Sequence, residues 1–114
     1  MEFSMEKNLW KKAIAAGEIG LGEMRSVEIG GVNVAIYNVE GRFYATSNIC
    51  THEVAFLTEG WLEGKVIECP LHAGQFDVTT GKGLCAPINC DLQTYAVRIV
   101  DQDIQVCLDA VTFD

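Results

Sequence analysis

Cys50-Thr51-His52 and Cys69-Pro70-Leu71-His72 gather two of the five cysteines and both histidines of a 114-residue chain into 23 residues. Strand-like sequence flanks them: RFYATSN before Cys50, KVIE before Cys69 and QFDV after His72. A short loop between strands is too small to enclose a metal by itself. Two such loops facing each other across a tip can clamp one from both sides, so the fold has to bring the two loops to one end of the molecule.

The rest of the sequence supplies strands for that purpose. Apolar residues alternate with a period of two in short stretches bounded by glycine or acidic turn residues, which predicts a mostly β, antiparallel structure of half-buried strands. Val32, Val34 and Ile36 share one face of VNVAIYN, and Asn38-Val39-Glu40-Gly41 reads as a hairpin turn into RFYATSN. Tyr95, Val97 and Ile99 line one face of TYAVRIV; after the turn Asp101-Gln102-Asp103, Ile104, Val106 and Leu108 line one face of the last strand. That places Cys107 on the opposite face. Leu9 to Ala16 fits a helix as well as a strand, because Leu9, Trp10, Ala13 and Ile14 also satisfy helical spacing. Gly81 to Asp91, GKGLCAPINCD, has turn residues without a sustained period and reads as a loop packed over something. No internal repeat or linker is visible.

Two cysteines and two histidines suit two different centres. Structural zinc takes such a set tetrahedrally, usually with like ligands paired at short spacing. Here each pair is mixed. Mixed pairs fit a [2Fe-2S] cluster whose two irons are ligated differently, each loop giving its cysteine to one iron and its histidine to the other. Zinc in a binding module remains the alternative from the residues alone.

Beyond these ligands, Phe43-Tyr44-Ala45-Thr46 leads into Asn48-Ile49-Cys50-Thr51-His52, and Leu62-Glu63-Gly64 precedes Ile67-Glu68-Cys69-Pro70-Leu71-His72. Phe76-Asp77 and Gly83-Leu84-Cys85-Ala86-Pro87 follow. Together these stretches resemble the Rieske iron–sulfur family, and within it the small ferredoxins of bacterial aromatic-ring dioxygenase systems. The resemblance covers nearly the whole chain and is most specific over residues 41–88. It implies a single domain, residues 1–114, folded as an all-β antiparallel sandwich or partial barrel with a small cluster-binding subdomain at the tip, about residues 45–90. It further implies that Cys50 and Cys69 hold the inner iron as thiolates and His52 and His72 the outer iron through imidazole nitrogens. Pro87 matches the proline of a third loop that covers the cluster.

Departures within the family bear on the reduction potential. High-potential relatives carry an extra cysteine in each loop, joined in a disulfide, where this chain has Ala55 and Leu71. They place Ser and Tyr hydroxyls where this chain has Gly74 and Phe76. Those hydroxyls stabilise added electron density, so their loss lowers the potential, towards about −150 mV.

Composition narrows the function. Sixteen acidic residues against eight basic ones give a net charge of −8, which repels nucleic acid and anionic membranes; it favours encounter with a basic protein surface, though on charge alone an acidic surface that keeps a small protein in solution is the preferred reading. Glu53, Glu59, Glu63 and Glu68, against Lys65 alone, read equally as a docking face near the ligands or as a solvated surface. Trp61, between the loops, reads more readily as packing. An odd cysteine count disfavours a disulfide framework, and Cys85, Cys90 and Cys107 read as inert thiols. No Ser-His-Asp set or paired catalytic carboxylates remain once the four ligands are assigned.

The expectation is therefore a cytoplasmic, monomeric one-electron carrier and not an enzyme. It would dock transiently with a flavin- or NADH-linked ferredoxin reductase and with the terminal oxygenase of an aromatic-ring dioxygenase. The alternatives are the small Rieske-type subunit of an assimilatory nitrite reductase, a structural zinc module and a detached redox sensor.

Overall fold

The computed structural model describes residues 10–50, 55–71, 74–84 and 91–108. Nine strands are described: β1 (Trp10–Ala15), β2 (Met24–Ile29), β3 (Val32–Val39), β4 (Arg42–Ser47), β5 (Trp61–Glu63), β6 (Val66–Glu68), β7 (Gln75–Asp77), β8 (Thr94–Val100) and β9 (Asp103–Cys107). Single 3-10 turns follow β1 at Ala16–Glu18 and precede β5 at Leu57–Glu59. Every pairing between these described strands is antiparallel. They form a six-stranded sheet ordered β1-β9-β8-β4-β3-β2 and a three-stranded sheet ordered β5-β6-β7. Because β1 and β2, at the two ends of that order, lie against each other, the large sheet is nearly closed into a barrel.

The ambiguous N-terminal stretch is resolved in favour of a strand. Over Trp10–Ala15 the chain pairs with β9, with an irregularity between Lys12 and Ile14, and Ile14 packs on the barrel core. Pairing to an available edge outweighs a short helical pattern that could bury only one face.

Both expected hairpins form, each on a two-residue turn tighter than the sequence indicates. Glu40 and Gly41 (φ 55° and 94°) join β3 to β4, and Asp101 and Gln102 (φ 52° and 70°) join β8 to β9. Left-handed backbone at both central positions is the hairpin geometry that matches strand twist. Asn38 reinforces the first turn: its Oδ1 accepts from Gly41 N–H at 2.8 Å and its Nδ2 donates to Ile19 O at 2.9 Å.

β3 is the central wall of the structure. Val34 and Ile36 point into the barrel with Ile19, Ile29, Ala45, Ile104 and Val106. Ala35 and Tyr37, on the opposite face, enter a second core with Cys50, Leu57, Ile67, Cys69, Phe76, Val78 and Leu92. The strand is thus buried on both faces, where a half-buried strand is expected from its alternation. Each large side chain so buried contributes about 1.5–3 kcal/mol. The second core seats the small sheet on the barrel: Ile67 and Phe76 point inward from β6 and β7, with Leu62 of β5 packed beside them. Ile99, expected to share the inward face of β8, is 49% exposed near the end of that strand.

Candidate metal centre

Cys50 follows β4 and Cys69 follows β6, and both side chains end in the second core, 4% and 0% exposed. The backbone around them follows one plan twice. Cys50 N–H donates to Ala55 O at 2.9 Å, and Cys69 N–H donates to Gly74 O at 2.7 Å. One residue earlier, Ile49 bridges Phe56 and Glu68 pairs with Gln75, both antiparallel. One residue earlier again, Leu57 N–H donates to Asn48 O at 2.8 Å, and Ile67 pairs with Phe76. Among the described residues, each of these positions of the first loop maps onto the second by the 19 residues that separate Cys50 from Cys69, whereas His52 and His72 are 20 apart in sequence. No repeat is visible in the sequence because the equivalence lies in main-chain bonds, which side chains as different as Phe56 and Gln75 can share.

The two loops are held against each other. Gly60, closing the turn after the first loop, packs directly on the carbonyl of Glu68, and a Cβ there would also lie 3.1 Å from Pro70 Cδ. The ends of the third loop meet the second one. Leu84 N–H donates to Gln75 O at 2.9 Å, Gly83 bridges Phe76, and Asp91 Oδ1 accepts from Gly83 N–H at 2.9 Å. His52, His72, Glu53, Cys85, Pro87 and Cys90 lie outside the described residues. The structure therefore brings Cys50 and Cys69 into one core and leaves the histidine half of the expected ligand set unplaced.

The positions expected to bear on the reduction potential lie among the described residues. Phe76 is fully buried in the core that holds both cysteines, and it offers no hydroxyl. Gly74 is buried, has no side chain to donate, and accepts from Cys69 N–H through its carbonyl. Tyr37 brings a hydroxyl into this core, but it lies 2.9 Å from Thr46 Oγ1, which in turn donates to Ser47 O at 2.8 Å. Tyr37 therefore donates to Thr46. Burial, opposed only in part by that bond, pushes its ionisation well above the usual tyrosine range, so it stays neutral.

Two buried sulfurs on matched loops are a donor set that fits a thiolate-ligated iron–sulfur group. The Rieske [2Fe-2S] domain family matches residues 9–96 of this sequence. The chain belongs to that family. Its cofactor is accordingly a Rieske-type [2Fe-2S] cluster. This Rieske chain is 48% identical over 99 residues to the ferredoxin component of the naphthalene 1,2-dioxygenase system of Pseudomonas aeruginosa, a match covering 87% of this chain and 95% of that one. It superposes with a TM-score of 0.86 on a chain of the complex of reduced oxygenase and oxidized ferredoxin in carbazole 1,9a-dioxygenase. Identity there is 37%, over 92% of this chain and 98% of the other. The Sphingomonas yanoikuyae B1 ferredoxin matches at 36% identity and a TM-score of 0.80, covering 89% of this chain and 98% of that one.

One feature departs from the sequence reading. Trp61 does not pack inside the Rieske chain; it is 62% exposed. Strand alternation puts Leu62, Ile67 and Phe76 on the inner face of the small sheet and Trp61, Glu63, Glu68, Gln75 and Asp77 on the outer one. Trp61 lies directly opposite Glu68 in the pairing, next to the second cysteine. Lys65, the base expected among these acids, faces Asp77 at 3.4 Å. Among the described residues no helix is long and apolar enough to cross a membrane.

Proposed function

We propose that this chain is a low-potential Rieske ferredoxin, a one-electron carrier between a flavin- or NADH-linked reductase and the terminal oxygenase of an aromatic-ring dioxygenase system. In this reading Cys50 and Cys69 ligate one iron as thiolates, and His52 and His72 ligate the other as imidazoles. When bound, the cluster accepts and returns one electron. The observation that carries the reading is the doubled loop plan, which ends in a buried cysteine each time. Relatives named as ferredoxin components support the assignment to dioxygenase systems.

The chain's own residues do three things. The paired closures hold two sulfurs at fixed positions in a dry core. Phe76 and Gly74 withhold donors that would favour the reduced state. The outer face of the small sheet presents one exposed indole beside carboxylates, a surface suited to a small, transient contact with a basic partner. No catalytic group of its own is assigned, so the oxygenase performs the ring chemistry. The protein acts in the cytoplasm as a monomeric single domain whose cluster-binding part spans about residues 45–90.

Reconstitution tests the role. NADH, reductase, oxygenase and an aromatic substrate are combined with and without the ferredoxin. Product formation should depend on its addition. Full turnover without it, or its purification in a fixed complex with a large siroheme subunit, contradicts the proposal.

A further inference from the structure

The two loops share main-chain closure but differ in what supports it. The second loop is the end of a real ladder: β6 is flanked by β5 on one side and β7 on the other. Beyond the Ile49–Phe56 bridge the first loop has no such ladder, since the chain enters the 3-10 turn at Leu57–Glu59. The next rung is made by a side chain. Asn48, 1% exposed and two residues before Cys50, accepts from Thr58 N–H at 2.9 Å through Oδ1 and donates to Asn33 Oδ1 at 2.9 Å through Nδ2. Its main chain adds two bonds, N–H to Asn33 O at 3.0 Å and O from Leu57 N–H at 2.8 Å.

From this we infer that Asn48 is a positioning residue for the centre, clamping the first ligand loop shut so that Cys50 is held at the depth and orientation that Cys69 obtains from its sheet. The physical argument is one of substitution. A terminal bridge with a single turn behind it opens readily, because few bonds must break together. An amide side chain that bonds both the barrel wall and the far arm of the loop ties that opening to the barrel itself. Only asparagine has one acceptor and one donor at this reach. Its neighbour Asn33 lies on β3, opposite Glu28 of β2, so the clamp is anchored in paired strands. The inference rests on the assignment of Cys50 as a ligand.

The test compares purified holoproteins: wild type, Asn48→Ala, Asn48→Asp and Asn38→Ala. Asn38 is the control, a buried asparagine with two side-chain hydrogen bonds at the hairpin end of β3, the strand that carries Asn33. Iron release to a chelator, followed by loss of visible absorbance well below the unfolding temperature, and the g values of the reduced protein are recorded. Asn48→Ala should release iron about tenfold faster than Asn38→Ala, as expected for loss of two buried bonds that oppose loop opening, and its g values should shift. Asn48→Asp keeps the oxygen for Thr58 and removes the donor to Asn33, so its rate should fall between them. If Asn48→Ala fails to fold, the Asp variant carries the comparison. Release at the Asn38→Ala rate, with unchanged g values, from whichever Asn48 variant folds overturns the clamp. A wild type with no Rieske signal instead defeats the ligand assignment.

Discussion

Gly60 packs on the main-chain carbonyl of Glu68, joining the end of the first ligand loop to the residue that precedes Cys69. The neighbour is backbone and cannot rotate away, so a methyl group there must push the loops apart. Gly60→Ala should cost about 1–3 kcal/mol in stability and leave the purified protein deficient in iron. Gly17→Ala, where a Cβ meets nothing within 4 Å, is the matched control and should keep a full complement. Iron per chain and thermal midpoints distinguish the two.

The reduction potential should respond to donors restored at two positions. Phe76→Tyr and Gly74→Ser each place a hydroxyl near buried sulfur, and a bond stronger by about 1 kcal/mol in the reduced state corresponds to roughly 40 mV for one electron. The wild type is expected near −150 mV, about the lower end for Rieske centres. Each variant should titrate higher, and redox titration followed by visible absorbance measures both.

Partner docking should depend on Trp61 without altering the centre. Trp61→Ala is expected to raise the oxygenase concentration needed for half-maximal turnover by about tenfold, the effect of losing an aromatic anchor, at an unchanged midpoint potential. Glu63→Gln with Glu68→Gln should flatten the salt dependence of the same rate.

Asp77 ties the small sheet to acid stability. Burial pushes its carboxyl pKa up, but bonds from Thr79 Oγ1 at 2.6 Å and Thr79 N–H at 2.9 Å, with Lys65 nearby, outweigh this and hold it below the ordinary value. A folded-state pKa below the unfolded one gives stability that is complete above the unfolded range and lost as pH falls through the folded value. The difference in thermal stability between wild type and Asp77→Asn should therefore be constant near neutrality and shrink below about pH 4.

How much of this was legible beforehand depended on the kind of signal. The hairpins could be read because Ile104 and Val106 alternate cleanly on one face, and the resemblance carried by the cysteine loops gave the fold and cofactor. Alternation could not show that Ala35 and Tyr37 face a second core, since two apolar faces of a strand erase the period that marks one. The exposure of Trp61 depended on which face of β5 meets the barrel, a tertiary fact. The matched closures of the loops are main-chain bonds and leave no side-chain signature. Asn48, whose side chain stands in for such a bond, looks in sequence like an ordinary turn residue.

On the proposed reading, Cys50, Cys69, His52 and His72 hold an asymmetric [2Fe-2S] centre. An EPR spectrum of the dithionite-reduced protein tests it most directly. The expected result is a Rieske signal with low average g, replaced or abolished in His52→Cys and His72→Cys. A colourless protein carrying zinc, or a signal of the all-cysteine type from the wild type, would contradict it.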